Sequence, residues 1–362
     1  MHFGIVSEKS PLEHRVAFSP YGVEEMVAHG HTITVQSGAG ERARFSDEDY
    51  EQCGASIAFS AEEAWIRPDV LLRVRPPDKG EVEQLREGQV FASYLELPFI
   101  PASTRQAYKD RKISLLALEE VRDHKGRWPL LAPLSIICGR MLPQIAARCL
   151  ETFEGGRGKL MMGAPGVAPC NIAIIGGGTL GTTATTMFGA MGARIAVLDN
   201  DHATLERLER TAQGHLATLA ASPGNINRVC RGSDVIVLAI HSPTGVCEKV
   251  LAQKHLNSMQ PRSVIIDASI TQGGAAETSR PTDVHNPTYI VDDIVHFCLP
   301  RITSLVARTT SRAISCALTP YLLQFAHYSP EQAIEAQCEF DSGIVALNGE
   351  MRKKYDYLDS KE

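Results

Sequence analysis

Asn171-Ile172-Ala173-Ile174-Ile175-Gly176-Gly177-Gly178-Thr179-Leu180-Gly181 is the stretch that decides how this chain folds. It reads as a short buried strand running into a glycine turn and then a helix. Gly176, Gly178 and Gly181 form G-x-G-x-x-G. The first glycine permits the tight turn, the second lets the backbone approach a pyrophosphate, and the third lets helix pack closely on strand. The diphosphate belongs at the helix N-terminus, beside Thr179 and Leu180, where unpaired N–H groups and the helix dipole favour anions. A glycine-rich turn without any ligand is the bland alternative, and the context speaks against it. A helical stretch runs to about Met191, Gly192-Ala193 turns the chain, and a second apolar strand, 194–198, ends in Asp199. An acid at that place bonds the ribose hydroxyls of NAD and repels the 2′-phosphate of NADP, so NAD is the expected cofactor. Ala239 and Ile240, closing a strand at 235–240, are counted with the cofactor-binding residues.

Composition bounds the rest. At 362 residues the chain has room for two domains with separate cores. A net charge of -6 with evenly mixed signs argues against a nucleic-acid partner, which needs a basic face. No apolar run is long enough to span a membrane, and the N-terminus goes directly into a strand without a basic leader. Nine scattered cysteines without a C-x-x-C suggest reduced thiols and no zinc site, with Cys138 and Cys316 expected in the core. A cytoplasmic α/β enzyme without a metal is the expectation.

Strands and helices alternate over the first 130 or so residues. Strands are expected at 3–6, 32–36, 70–74, 90–95 and 113–117, with a helix from Pro20 to about His29 and shorter ones from Asp47 and Ala61. Such alternation indicates a parallel sheet covered on both faces. Arg73 and Arg75 alternate at the end of the strand at 70–74, and Glu96 lies just past the one at 90–95. One long helix is expected from Ser135 to about Phe153, then further strands at 171–175, 194–199, 235–240, 264–267 and 289–291. The chain turns helical again from Thr303 to Ala326, interrupted at Pro320, and ends in a polar, charged helix from Pro330. Two doubly wound, Rossmann-like domains follow: 135–303 for NAD, and 1–134 with 304–362 for substrate.

These residues resemble those of alanine dehydrogenase and the NAD-binding subunit of proton-translocating transhydrogenase. The resemblance runs through Arg15-Val16-Ala17, Gly38-Ala39-Gly40-Glu41, Pro129 to Ser135 with Gly139-Arg140, Gly155-Gly156-Arg157-Gly158, the glycine turn, Gln272-Gly273-Gly274 and Ser279-Arg280-Pro281-Thr282. It implies long helices joining the two domains, an active site in the cleft between them, and a homo-oligomer, either a dimer or a hexamer. It also implies that Arg15 holds a substrate carboxylate and that Ser135 bonds the phosphate region of the cofactor. The remaining chemical positions depart from the family. Arg75 stands where a lysine is expected, Glu96 where a proton-shuttling histidine is, and Thr271 where a catalytic aspartate is. Arg301 lies near the position of an asparagine beside the nicotinamide.

Arg75 keeps the charge and adds a planar fork suited to carboxylates. Nearby arginines would favour an ionised Glu96, which cannot act as an acid but can face an ammonium or iminium. Hydride transfer to or from a carbon bearing nitrogen, on an amino or imino acid other than alanine, is the expectation. Glu119 is a candidate support for this pocket. His14 and His241 are candidate proton carriers whose bland reading is a loop histidine. Ser269, like Thr271, has a space-filling reading. Two further readings stay open at this level: an NAD-binding protein without activity, and a redox-neutral lyase or cyclodeaminase that recycles NAD.

Overall fold

The computed structural model describes residues 1–211 and 215–358. The chain divides into two compact units, Met1–Leu134 with Thr303–Glu362, and Ser135–Ile302. Its strands, in chain order, are β1 (His2–Ile5), β2 (Thr32–Gln36), β3 (Ser56–Ala58), β4 (Val70–Leu72), β5 (Val90–Ser93), β6 (Ser114–Ala117), β7 (Asn171–Ile175), β8 (Arg194–Asp199), β9 (Leu216–Ala220), β10 (Val235–Leu238), β11 (Val264–Asp267), β12 (Thr288–Val291), β13 (Ile294–Phe297), β14 (Ile344–Leu347) and β15 (Glu350–Met351).

The first unit is built on an eight-stranded sheet in the order β15-β14-β6-β5-β4-β1-β2-β3. Its first six strands are parallel, and the doubly wound order places the switch point between β1 and β4. Helices cover both faces, so strands such as Val70–Leu72 and Val90–Ser93 are apolar or small throughout and fully buried. Helix Pro20–Ala28 packs against helix Ala307–Phe325, and both share one core with Phe3, Ile5, Val35 and Leu72.

The second unit repeats the plan in a seven-stranded sheet, β12-β13-β11-β10-β7-β8-β9, antiparallel only at β12. Its switch point lies between β7 and β10. The helix expected from Ser135 begins earlier, spans Ala132–Cys149, and packs on helix Thr179–Ala190 through Gly139. A Cβ on Gly139 would lie 2.7 Å from the Leu180 carbonyl oxygen. The helix stops at Cys149, short of Phe153, because the Gly155–Gly158 turn folds back on it. A Cβ on Gly156 would lie 2.1 Å from the Cys149 carbonyl oxygen.

Several expectations are corrected. β4 ends at Leu72, so Arg73 and Arg75 lie in the following loop rather than alternating on a strand. Helix Ala307–Phe325 runs through Pro320, which forgoes one hydrogen bond without ending it. Cys316 on that helix is exposed rather than in the core. The segment after Pro330 is not one polar helix. A short helix, Pro330–Glu335, is followed by β14, whose buried Ile344-Val345-Ala346 pairs antiparallel with β6, and then by β15. The charges around that apolar run masked its pairing with a distant edge. No helix among the described residues is long and apolar enough to cross a membrane.

Candidate active site

In each sheet the candidate residues gather at the carboxyl ends of the strands, where ligands of doubly wound folds bind. Arg15 follows β1, Arg75 follows β4, Glu96 follows β5 and Glu119 follows β6. In the second unit Gly176 follows β7, Asp199 ends β8, Ala239 and Ile240 follow β10, Thr271 follows β11 and Arg301 follows β13.

Arg15 is 5% exposed and held as a fork. Its Nε donates to Glu13 Oε1 at 2.7 Å and Nη2 to Glu13 Oε2 at 2.5 Å, while Nη1 donates to Thr303 Oγ1 at 3.0 Å. Burial alone would make the guanidinium easier to deprotonate. Glu13 outweighs that by hydrogen bond and charge, and the pKa rises above the ordinary arginine value. A guanidinium carries five N–H groups, so this arrangement leaves two to meet a carboxylate. Glu13 and Thr303 are functional candidates that sequence reasoning missed. Glu13 lies two residues from Arg15, but nothing in that spacing distinguishes a fork from a solvated pair.

Arg73 and Arg75 part company. Arg73 is buried, with Nε 3.3 Å from Glu8 Oε2, Nη1 3.0 Å from Glu81 Oε1, and its guanidinium over the Trp65 ring. It is a structural cation. Arg75 is half-buried, and its backbone N–H donates to Glu8 Oε1 at 3.3 Å. The same oxygen accepts from Val74 N at 2.7 Å. Burial pushes the Glu8 carboxyl up to about 7, against the opposing charge of Arg73.

Glu96 is half-buried and adopts a left-handed backbone, φ 51° and ψ 47°, a conformation that costs a residue with a side chain. Its N–H donates to Glu119 Oε1 at 2.7 Å, and the N–H of Leu95 donates to Glu119 Oε2 at 3.1 Å. Burial pushes the Glu119 carboxyl up to about 8 although both N–H donors pull it down. His14 is exposed, with its ring against the Pro11 carbonyl at 3.1 Å, and His241 sits in an exposed loop.

In the second unit the glycine turn leads straight into a helix N-terminus. Gly176 has φ 106°, and a Cβ there would lie 2.3 Å from the Ala239 carbonyl oxygen. A Cβ on Gly181 would lie 1.9 Å from the Gly176 carbonyl oxygen, which is the close helix–strand packing expected of the third glycine. Around a Cβ placed on Gly178 there is open space to 4 Å, and this glycine is the N-cap of helix Thr179–Ala190 without a side chain to cap it. The exposed N-terminus and that space fit a diphosphate, with Thr179 and Leu180 leading the helix. Asp199 is half-buried, with Oδ2 accepting from Gly177 N at 2.6 Å and Oδ1 from Asp201 N at 2.8 Å. Arg207, which sequence reasoning passed over, donates to the Gly177 carbonyl at 3.2 Å. Ser135 lies one turn before Gly139 on the same helix face.

The loop after β11 is pinned rather than open. Ser269 Oγ donates to the Ile240 carbonyl at 2.8 Å and accepts from Ile240 N at 2.9 Å, so it is a tie and not a filler. Gln272 bonds both backbone groups of Ser242. Thr271 lies half-buried between them, in the short helix Ile270–Gln272. Arg301 has φ 57°, also left-handed.

Comparison with known proteins decides the kinship. Residues 4–138 match the family described as Alanine dehydrogenase/PNT, N-terminal domain, and residues 143–354 match its C-terminal domain. The chain belongs to the alanine dehydrogenase/PNT family. An alanine dehydrogenase of Halomonas elongata is 36% identical over 351 residues, covering 97% of this chain and 94% of its own. One from Mycobacterium tuberculosis is 34% identical over 349 residues, covering 96% and 94%. A solved L-alanine dehydrogenase superposes with a TM-score of 0.91 at 30% identity, covering 99% of each chain. A transhydrogenase from Sinorhizobium meliloti shares the fold, with a TM-score of 0.79 at 22% identity over 97% and 98% of the chains. The chain is thus an oxidoreductase of the alanine dehydrogenase type, with two Rossmann-like domains.

Proposed function

We propose that the chain is an NAD-dependent dehydrogenase that interconverts an amino acid other than alanine with its imine. The observation that carries this reading is Arg15, buried and forked by Glu13 and Thr303 with two N–H groups left for a carboxylate. A guanidinium locked in this way is pre-organised, so little side-chain freedom is lost when the acid binds.

Arg15 and Arg75 hold the substrate carboxylate, and Glu96 faces the nitrogen as its counter-ion. Arg301 holds a second anionic group. Gly176, Gly178, Gly181, Thr179 and Leu180 hold the diphosphate, Asp199 the ribose hydroxyls, and Ser135, Ala239 and Ile240 flank the cofactor. A nicotinamide nucleotide bound there supplies or accepts the hydride. Glu96 and Thr271 stand where the family places a histidine and an aspartate, and this loss of proton carriers supports a substrate that needs little proton handling. An iminium carbon is already electrophilic. Reductive amination, by contrast, needs ammonia attack and loss of water. The protein acts as a homo-oligomer on a small amino, imino or keto acid.

The test is NADH formation or consumption with a panel of L-alanine, L-proline, L-lysine, L-aspartate and the corresponding keto and imino acids. Turnover of an amino or imino acid at least tenfold faster than of L-alanine is expected. Preference for L-alanine overturns the substrate assignment. Tight NADH binding without turnover of any compound overturns the activity.

A further inference from the structure

We infer that Glu119 and Glu8 are positioning residues, two carboxyl groups that take over the backbone N–H groups of the loops after β5 and β4 and so set how Glu96 and Arg75 leave the chain. The functional half of this inference rests on the roles given above to Glu96 and Arg75; the structural half does not.

Strand register carries the argument. β5 pairs in parallel with β6, and the last partners are Ser93 and Ala117. Continuing the register by two residues would bring Leu95 level with Glu119, but the ladder has ended there. The Glu119 carboxyl group replaces it, one oxygen accepting from Leu95 N and the other from Glu96 N. On the other side of β5, β4 pairs with β1, and the last partners are Leu72 and Ile5. Three residues further on, Arg75 would be level with Glu8. Again a carboxyl group replaces the ladder, with Glu8 Oε1 accepting from Val74 N and Arg75 N.

The device does most at Glu96. A left-handed residue with a side chain persists only where its surroundings hold it. The Phe99 N–H closes a turn on the Glu96 carbonyl at 2.9 Å, and Glu119 closes the other side. Released from Glu119, Glu96 would relax toward the right-handed or extended region, and its Cβ would point elsewhere. A glutamine at 119 cannot replace the acid. It offers one oxygen, and its NH2 would face the second N–H donor to donor.

Two measurements on the full-length protein test this. Backbone hydrogen exchange compares the wild type with Glu119→Gln, and a faster exchange at Leu95 and Glu96, by at least tenfold while β7–β8 amides stay unchanged, is expected. Unchanged exchange at both positions overturns the inference, whether or not the protein turns over any amino acid. The second measurement is a double-mutant cycle in kcat with the panel amino acid oxidised fastest. Glu119→Gln alone should lower kcat roughly 10- to 100-fold with NADH affinity within about twofold, since misplacement by about an ångström costs that much. Adding Glu119→Gln to Glu96→Gln should cost little more. Fully additive losses would show that Glu119 does not act through Glu96. If the wild type oxidises nothing, the proposed function fails, and the exchange result still decides the brace.

Discussion

At the scale of single residues, two glycines bear most directly on the proposed cofactor binding. Gly176 combines φ 106° with a Cβ position 2.3 Å from a backbone oxygen of the neighbouring turn. Alanine there would have to move the chain on both counts, at a cost of about 2 kcal/mol or more. Gly176→Ala is therefore expected to weaken NADH binding at least tenfold, as read by nucleotide fluorescence titration. Gly178→Ala, whose Cβ would meet open space, should disturb the fold little and act only on the bound diphosphate. Equal thermal destabilisation by both variants would contradict this division. Arg15 illustrates a different residue-scale point. Its fork on Glu13 means that Glu13→Gln would free a buried cation to swing, and the expected result is a higher KM for the amino acid with unchanged NADH affinity.

At the scale of elements, the β14–β15 hairpin closes the edge of a sheet that otherwise ends at β6. An open parallel edge is a template for pairing with other chains. Val345 is fully buried in the hairpin, so Val345→Asp would bury an unpaired carboxylate and lower stability by about 3 kcal/mol. Both tryptophans, Trp65 and Trp128, lie in the first unit, so their fluorescence during urea unfolding reports that unit. The glycine turn, the strand after it and Asp199 were legible in the sequence because their signals are local: adjacent residues with a fixed spacing. The hairpin was not legible, because Ile344-Val345-Ala346 is a three-residue apolar run whose partner strand lies more than two hundred residues away. The same reason hides how the site's supports act, although Glu119 was already a candidate support in the sequence. Glu8 reaches residues 66 and 67 positions along the chain, and Glu119 reaches back 23 and 24. The candidate residues themselves could be placed at loops after strands, but the end of β4 two residues early, and with it the separation of Arg73 from Arg75, depends on Glu8.

At the scale of the whole molecule, the two raised carboxyls give stability a pH dependence of definite sign. In the unfolded chain Glu8 and Glu119 titrate near 4.5; in the fold they hold their protons to about 7 and about 8. Between those limits the folded protein binds more protons than the unfolded one, so this contribution to stability falls as pH rises. Each group adds at most about 1.4 kcal/mol per pH unit to that slope. The loss levels off about one unit above the higher of the two values, near pH 9. The stability difference between wild type and Glu119→Gln, read by tryptophan fluorescence in urea, should therefore shift against the wild type from pH 5.5 to pH 8.5. A constant difference would show that Glu119 ionises normally.

The first unit is interrupted: it takes in residues 1–134 and then nothing until Thr303. A ribosome thus delivers six strands of that sheet long before helix Ala307–Phe325, which supplies part of their core, and β14, which shields their edge. The inserted unit is one continuous stretch and can finish as soon as it clears the exit tunnel. A nascent chain halted once residue 302 has cleared the tunnel should carry a completed second unit beside an unfinished first one, which makes the N-terminal portion the one in need of chaperones.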